Sequence, residues 1–236
     1  MSATTVRGIS SMATRALLAE LGSMYRQLGG GVEVDIESVG GVDAARRVAQ
    51  GEAFDLVVLA ADAIARLEAD GRLVGDSAVE IVRSEMAVAV PDASPRPSVE
   101  TEAELKTAVL ASPRIAYSTG PSGQALIRLF EQWGVAAALA DRLVQARPGV
   151  PVASLLARGD ADIGFQQLSE LIGVEGIAVL GPLPEPIRVT TIFAGAITAA
   201  SPIPLQAGEF LAFLASSETA AVKLRHGMEH VPKAAA

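Results

Sequence analysis

The chain has 236 residues, half of them hydrophobic, 19% charged and 4% aromatic, which excludes intrinsic disorder and calls for an aliphatic core of Ala, Val, Leu and Ile. Its 27 acidic and 19 basic residues leave a net charge of −8, a balance that repels phosphate backbones and argues against nucleic-acid binding. There is no cysteine, so disulfides, thiol nucleophiles and Cys-ligated metals are removed as well.

At about 150 residues per domain, this length fits one large α/β domain or two small lobes. The opening residues read directly as a first strand, Thr4–Ser10, with no basic and apolar leader before it. The expected location is therefore cytoplasmic, or periplasmic had a leader been removed. No run reaches the roughly 18 apolar residues of a membrane span, so no membrane insertion is expected. The helix that follows carries Leu17, Leu21, Met24, Tyr25 and Leu28 on one face, and Gly29-Gly30-Gly31 ends it. Val32–Ser38 alternates as a strand, Gly41–Gln50 reads as a helix, and Phe54–Ala60, apolar but for Asp55, suits a strand buried on both faces. The order βαβαβ predicts a parallel sheet with right-handed crossovers.

A long strand, Ile81–Val90, is stopped by Pro91 and a Pro-rich loop. A helix near Glu100–Leu110, the strand Arg114–Ser118 and the helix Ser122–Trp133 continue the alternation, followed by Leu143–Gln145, a helix from Val152, and the strand Ala161–Phe165. After Ile177–Leu180 a second proline-rich loop leads to the strand Ile187–Ile197 and two closing helices, Leu205–Ser216 and Glu218–His226. Two α/β halves are expected, joined by the two long strands.

Three strand-to-helix junctions share one composition: Ser10 and Ser11, then Gly40 and Gly41, then Ser118, Thr119, Ser122 and Gly123. A helix start offers unpaired N–H groups and the positive end of the macrodipole, glycine admits a ligand to the backbone, and hydroxyls add donors. Such residues also serve as plain caps and turns. Their recurrence at three strand ends, with no acidic residue in the loops, predicts a shared site for a small anion.

The order and spacing of several segments carry a resemblance. They are Ile9-Ser10-Ser11-Met12 before an amphipathic helix, Val34 through Gly41, Gly51 through Ala60, and Gly159-Asp160-Ala161-Asp162-Ile163-Gly164-Phe165-Gln166-Gln167-Leu168-Ser169. Over nearly its whole length the chain resembles the type II periplasmic binding proteins of the molybdate-binding branch. The resemblance implies two lobes, residues 1–82 with 194–236 and residues 85–187. It further implies hinge strands near 81–90 and 187–197, and an interlobe cleft that closes on an oxyanion. Carried over by position, Gln166 and Gln167 join the junction residues as cleft-lining groups. The amides Gln166-Gln167 stand where the molybdate binders tend to have an aromatic, and the second junction has fewer hydroxyls. Those departures point to a ligand other than a tetrahedral metal oxyanion, most simply a carboxylate. The run Gly164-Phe165-Gln166-Gln167-Leu168-Ser169-Glu170-Leu171, with Gly181-Pro182-Leu183-Pro184, resembles a sub-branch that includes aconitate isomerase.

Two functions follow from that resemblance. One is a solute-binding protein for a small anionic metabolite, with an ABC permease as partner only if the protein is exported. The other is a cytoplasmic, cofactor-independent isomerase of an unsaturated tricarboxylate, which needs a proton carrier. Glu85, on the long strand, and Tyr117, at the third junction, are the titratable candidates. A salt bridge for Glu85 and simple packing for Tyr117 are the alternatives. Arg15, Arg46, Arg83 and Arg128 lie near the junctions as further cations. His226 and His230 are four apart, but Gly227 interrupts the pair and no third ligand is evident, so no metal is expected. No phosphate-binding glycine loop, dinucleotide fingerprint or nucleophile elbow is present, and no cofactor is expected.

Overall fold

A computed structural model describes residues 4–232. The chain divides into two compact units, one formed by the chain up to Arg83 and from Ile192 onward, the other by Ser84–Thr191. Both boundaries fall inside long strands, β4 (Val79–Pro91) and β9 (Thr190–Ile197).

The first unit opens with β1 (Thr5–Ser11), α1 (Arg15–Gln27), β2 (Glu33–Val39), α2 (Gly41–Ala49), β3 (Leu56–Ala60) and α3 (Ala61–Ala69). The chain returns to it through β9, α8 (Pro204–Ala215), α9 (Ala220–Arg225) and β10 (Met228–His230), the last pairing with β4. Its strands lie in the order β2-β1-β3-β9; β1 runs parallel to β2 and β3, as the βαβαβ pattern requires, and β9 runs antiparallel to β3. Side chains alternate across the pleat of β3. Leu56 and Val58 join Leu17, Leu21 and Phe210 from α1 and α8, while Val57 and Leu59 join Ala44, Val48 and Ile64 from α2 and α3. That two-sided burial is why β3 is apolar at every position. Leu28 departs from the expected buried face. It caps α1, and with the chain reversing at Gly29 (φ +81°) its side chain is 63% exposed. The helix α3, which follows β3 with no loop, has only Ile64 and Leu67 as its buried anchors and escaped the sequence reading.

The second unit contains the rest of β4, then α4 (Glu102–Ala111), β5 (Ile115–Tyr117), α5 (Pro121–Gln132), α6 (Ala136–Leu139), β6 (Leu143–Gln145), α7 (Val152–Ala157), β7 (Ile163–Gln167) and β8 (Ile177–Pro182). Strands β4-β7-β5-β6 adjoin in that order, and β8 takes the other edge of β4. The partners of β5, β6 and β7, are parallel to it, whereas β4 is antiparallel to β7. Met86, Val88 and Val90 face Leu105, Val109, Leu126 and Phe130 from α4 and α5. Ala87 and Ala89 face Val152, Ala153 and Leu156 from α7. Thr101 and Glu104 form a reciprocal capping box at the start of α4. The strand expected at Ala161–Phe165 lies two residues later. Asp162 is held by the Arg114 carbonyl and guanidinium before pairing begins, so the strand runs on through Gln166 and Gln167.

Candidate functional site

In the first unit, β1 and β2 run parallel in register, so Ser10 stands opposite Ser38 and Ser11 opposite Val39 at their carboxyl ends. Ser10 is fully buried; its Oγ lies 2.8 Å from Ser38 Oγ and also donates to the Ser11 carbonyl at 3.3 Å. Ser11 is buried as well, and its Oγ has no hydrogen-bond partner. Buried hydroxyls are normally satisfied, so this one has unmet hydrogen-bonding capacity at a strand end. Gly40 precedes α2 and Gly41 begins it, with no side chain capping that end. The expected first and second junctions therefore stand on adjacent strands of one sheet.

In the second unit, Tyr117 ends β5 opposite Phe165 of β7, which brings the third junction beside the two glutamines. Ser118 Oγ and Ser122 Oγ are 3.1 Å apart across the start of α5; Thr119 lies in the connecting loop, and no side chain caps α5. Gly123 is required by packing. A Cβ there would lie 1.8 Å from the Ser118 carbonyl oxygen. Gln166 and Gln167 are both buried. Gln167 Nε2 donates to Thr191 Oγ1 at 2.8 Å, and its Oε1 has no partner. Gln166 Oε1 accepts the Val152 N–H at 2.8 Å, and its Nε2 donates to Glu170 at 2.7 Å.

The proposed proton carriers differ in surroundings. Glu85 Oε1 sits 3.4 Å from Arg188, which also pairs with Glu185 at 2.9 Å. Tyr117 is half-buried and packs against the core of its own unit. Glu170 was not singled out by sequence reasoning. Burial pushes its carboxyl up to about 7, only partly offset by the Gln166 hydrogen bond. The signal was the four-residue spacing of Gln166 and Glu170. It brings them together only because a 3-10 turn, Leu168–Glu170, follows β7 at once.

Of the arginines, Arg46 pairs with Asp43 and Arg83 with Glu229, both on the first unit's surface. Arg15 and Arg128 are exposed. His226 meets Glu20 at 2.7 Å and His230 meets Lys223 at 3.1 Å, so the two imidazoles serve different partners. Among the described residues no three His, Asp or Glu side chains gather as a metal site, and no helix is long and apolar enough to cross a membrane.

Residues 6–229 match the family of bacterial extracellular solute-binding proteins. The chain belongs to that family. It has the type II periplasmic-binding-protein fold. An aconitate isomerase from a Pseudomonas species is 32% identical over 237 residues, covering 97% of this chain and 89% of that one. The periplasmic molybdate-binding protein of Azotobacter vinelandii superposes with a TM-score of 0.80 at 18% identity, over 97% of this chain and 100% of that one. The sulfate-binding protein of Mycobacterium tuberculosis H37Rv superposes with a TM-score of 0.77 at 18% identity, over 98% and 88% of the two chains. Those two structural neighbours, at such low identity, speak to the fold alone. Within it, hydroxyl and amide groups at strand ends are donors without a formal charge, a set suited to neutralising a dehydrated anion through many hydrogen bonds.

Proposed function

We propose that this protein binds a small carboxylate anion through the strand-end groups Ser10, Ser11, Gly40, Gly41, Ser118, Thr119, Ser122, Gly123, Gln166 and Gln167. The observation that carries the reading is the buried, unpartnered Ser11 Oγ at the β1 end, next to uncapped α2. Two side-chain amides, Gln166 and Gln167, beside the five hydroxyl side chains support a ligand other than a tetrahedral metal oxyanion, most simply a carboxylate. A thermal-shift series tests it: di- and tricarboxylates are expected to raise the melting temperature, and neutral sugars and amines to leave it unchanged. Stabilisation by sugars or amines alone defeats the proposal.

A second reading has the same site isomerise an unsaturated tricarboxylate, and the 32% identity to an aconitate isomerase supports it. The reaction removes a proton from a carbon, shifts the double bond and returns a proton, so it needs a titrating group close to that carbon. Glu85 and Tyr117 are our candidates, and Arg188 lies 3.4 Å from Glu85 Oε1. Incubation of cis- or trans-aconitate in deuterated water is expected to give the other isomer with solvent deuterium. Glu85→Gln or Tyr117→Phe is then expected to slow turnover more than it weakens binding. Tight binding with no interconversion leaves the protein a receptor, whose further partner would be an ABC permease if it is exported.

A further inference from the structure

The second unit holds a carboxyl group with an unusual setting. Glu170 ends the 3-10 turn after β7 and is half-buried beside the cluster of Val152, Ala153, Leu156 and Leu171. The neighbouring elements α7, β7 and β8 contain no ionisable side chain. Of the cations that flank α7, Arg147 is exposed and Arg158 is taken by Asp160 at 3.0 Å. Among the described residues no cation pairs with Glu170; its one side-chain hydrogen bond comes from Gln166 Nε2 at 2.7 Å.

That bond fixes Gln166. An ionised carboxylate can only accept, so it selects the amide orientation with Nε2 toward Glu170 and Oε1 toward the Val152 N–H, 2.8 Å away. A primary amide has two N–H donors; Glu170 takes one, and the proposed anion site needs the other. A second anion on that donor would place two like charges on opposite sides of one amide, in a setting with no cation to separate them. The cheapest relief is for the carboxylate that lacks a counter-ion to take up a proton. The protonated acid still accepts from Nε2 through its carbonyl oxygen, so the positioning bond survives without the charge.

We propose that an anion bound at the Gln166 end of β7 is taken up together with a proton, and that Glu170 receives it. Glu170 is thus a positioning residue of the site and its charge regulator. The inference rests on the reading that Gln166 lines the anion site. The free carboxyl titrates where cellular pH lies, because burial has raised it to about 7, so the coupling operates under working conditions.

Calorimetry tests it, with fumarate and sulfate as probes, at pH 6.5 and 8.5, in buffers of low and high protonation enthalpy. Both probes stay ionised throughout this range, so the proton is not theirs. Affinity is expected to be about fivefold to tenfold weaker at the higher pH, with buffer-dependent heat showing proton uptake. In Glu170→Gln, which keeps an acceptor for Gln166, binding is expected to persist with a flat pH profile and no uptake. Should that variant fail to fold, the pH titration of the Gln166 side-chain amide and the Val152 backbone amide assigns the proton in the unmodified protein. Their midpoint should move to higher pH when anion is present. Binding with equal affinity at both pH values and no buffer-dependent heat overturns the coupling alone. Failure of both anions to bind at any pH overturns the anion site as well.

Discussion

The strand-end junctions of the two units use the same residue types in opposite ways. In the first unit Ser10 is tied to Ser38 across two parallel strands, while Ser11 is left unpartnered and a Cβ on Gly41 would meet Ser11 no closer than 3.6 Å. In the second unit Ser118 holds Ser122, Gly123 packs on the Ser118 carbonyl, and Gln166 has its carbonyl and one of its two amide hydrogens engaged. The lesson is that serine and glycine at a helix start mean an unpartnered hydroxyl in one place and a tightly packed glycine in the other. What separates them is the neighbour that meets the helix start: the Ser11 side chain of β1 in the first unit, the Ser118 carbonyl of the adjoining loop in the second.

The sharpest way to break this comparison is a methyl group at each helix start. Gly123→Ala forces a Cβ into contact with a backbone oxygen and is expected to cost more than about 3 kcal/mol. That loss should appear as a large drop in the denaturation midpoint, even though alanine is the better helix former by about 1 kcal/mol. A Gly123→Ala protein as stable as the parent would mean the second junction is as open as the first.

Next in size is the pH dependence carried by Glu170. Its carboxyl is raised in the folded protein relative to the unfolded chain, so its contribution is fully present below the ordinary carboxylate range. That contribution is lost as pH rises through about 7. Comparing Glu170→Gln with the parent isolates the effect from other titrating groups. The variant is expected to gain about 2–3 kcal/mol relative to the parent between pH 4 and pH 8, read by urea denaturation at both. Equal differences at the two pH values would place an ordinary carboxyl there.

Ser10→Ala removes the 2.8 Å bond to Ser38 and is expected to cost about 1 kcal/mol in stability. Anion binding should weaken as well if Ser10 serves the site; unchanged affinity would make Ser10 a purely internal tie. The smallest effect belongs to Gly41→Ala, at less than about 1 kcal/mol in either direction, because its Cβ finds ordinary contact distances. A destabilisation as large as that of Gly123→Ala would erase the distinction between the junctions.

What the sequence determined by itself was everything with a local period. The apolar run Leu56–Ala60 could only be a strand covered on both faces, and the repeat through Leu17, Leu21 and Tyr25 could only be a helix with one buried side. The alternation of these elements was enough for two α/β halves, and the resemblance carried by the ordered segments implied the type II periplasmic-binding-protein fold. Its limits lay where a neighbour distant in sequence decides. Arg114 holds Asp162, 48 residues away, and so moves β7 forward until Gln166 and Gln167 are buried strand residues. Glu85 meets Arg188 only because β4 and the segment before β9 lie together. Lys223, in a helix whose pattern suggests a solvated lysine, is fully buried against His230 of β10, and burial lowers its ammonium to about 8. Periodicity records which way a side chain points along its own element. The charge state of Glu170 or Lys223 depends on what other elements bring within a few ångströms, and only the tertiary structure supplies that.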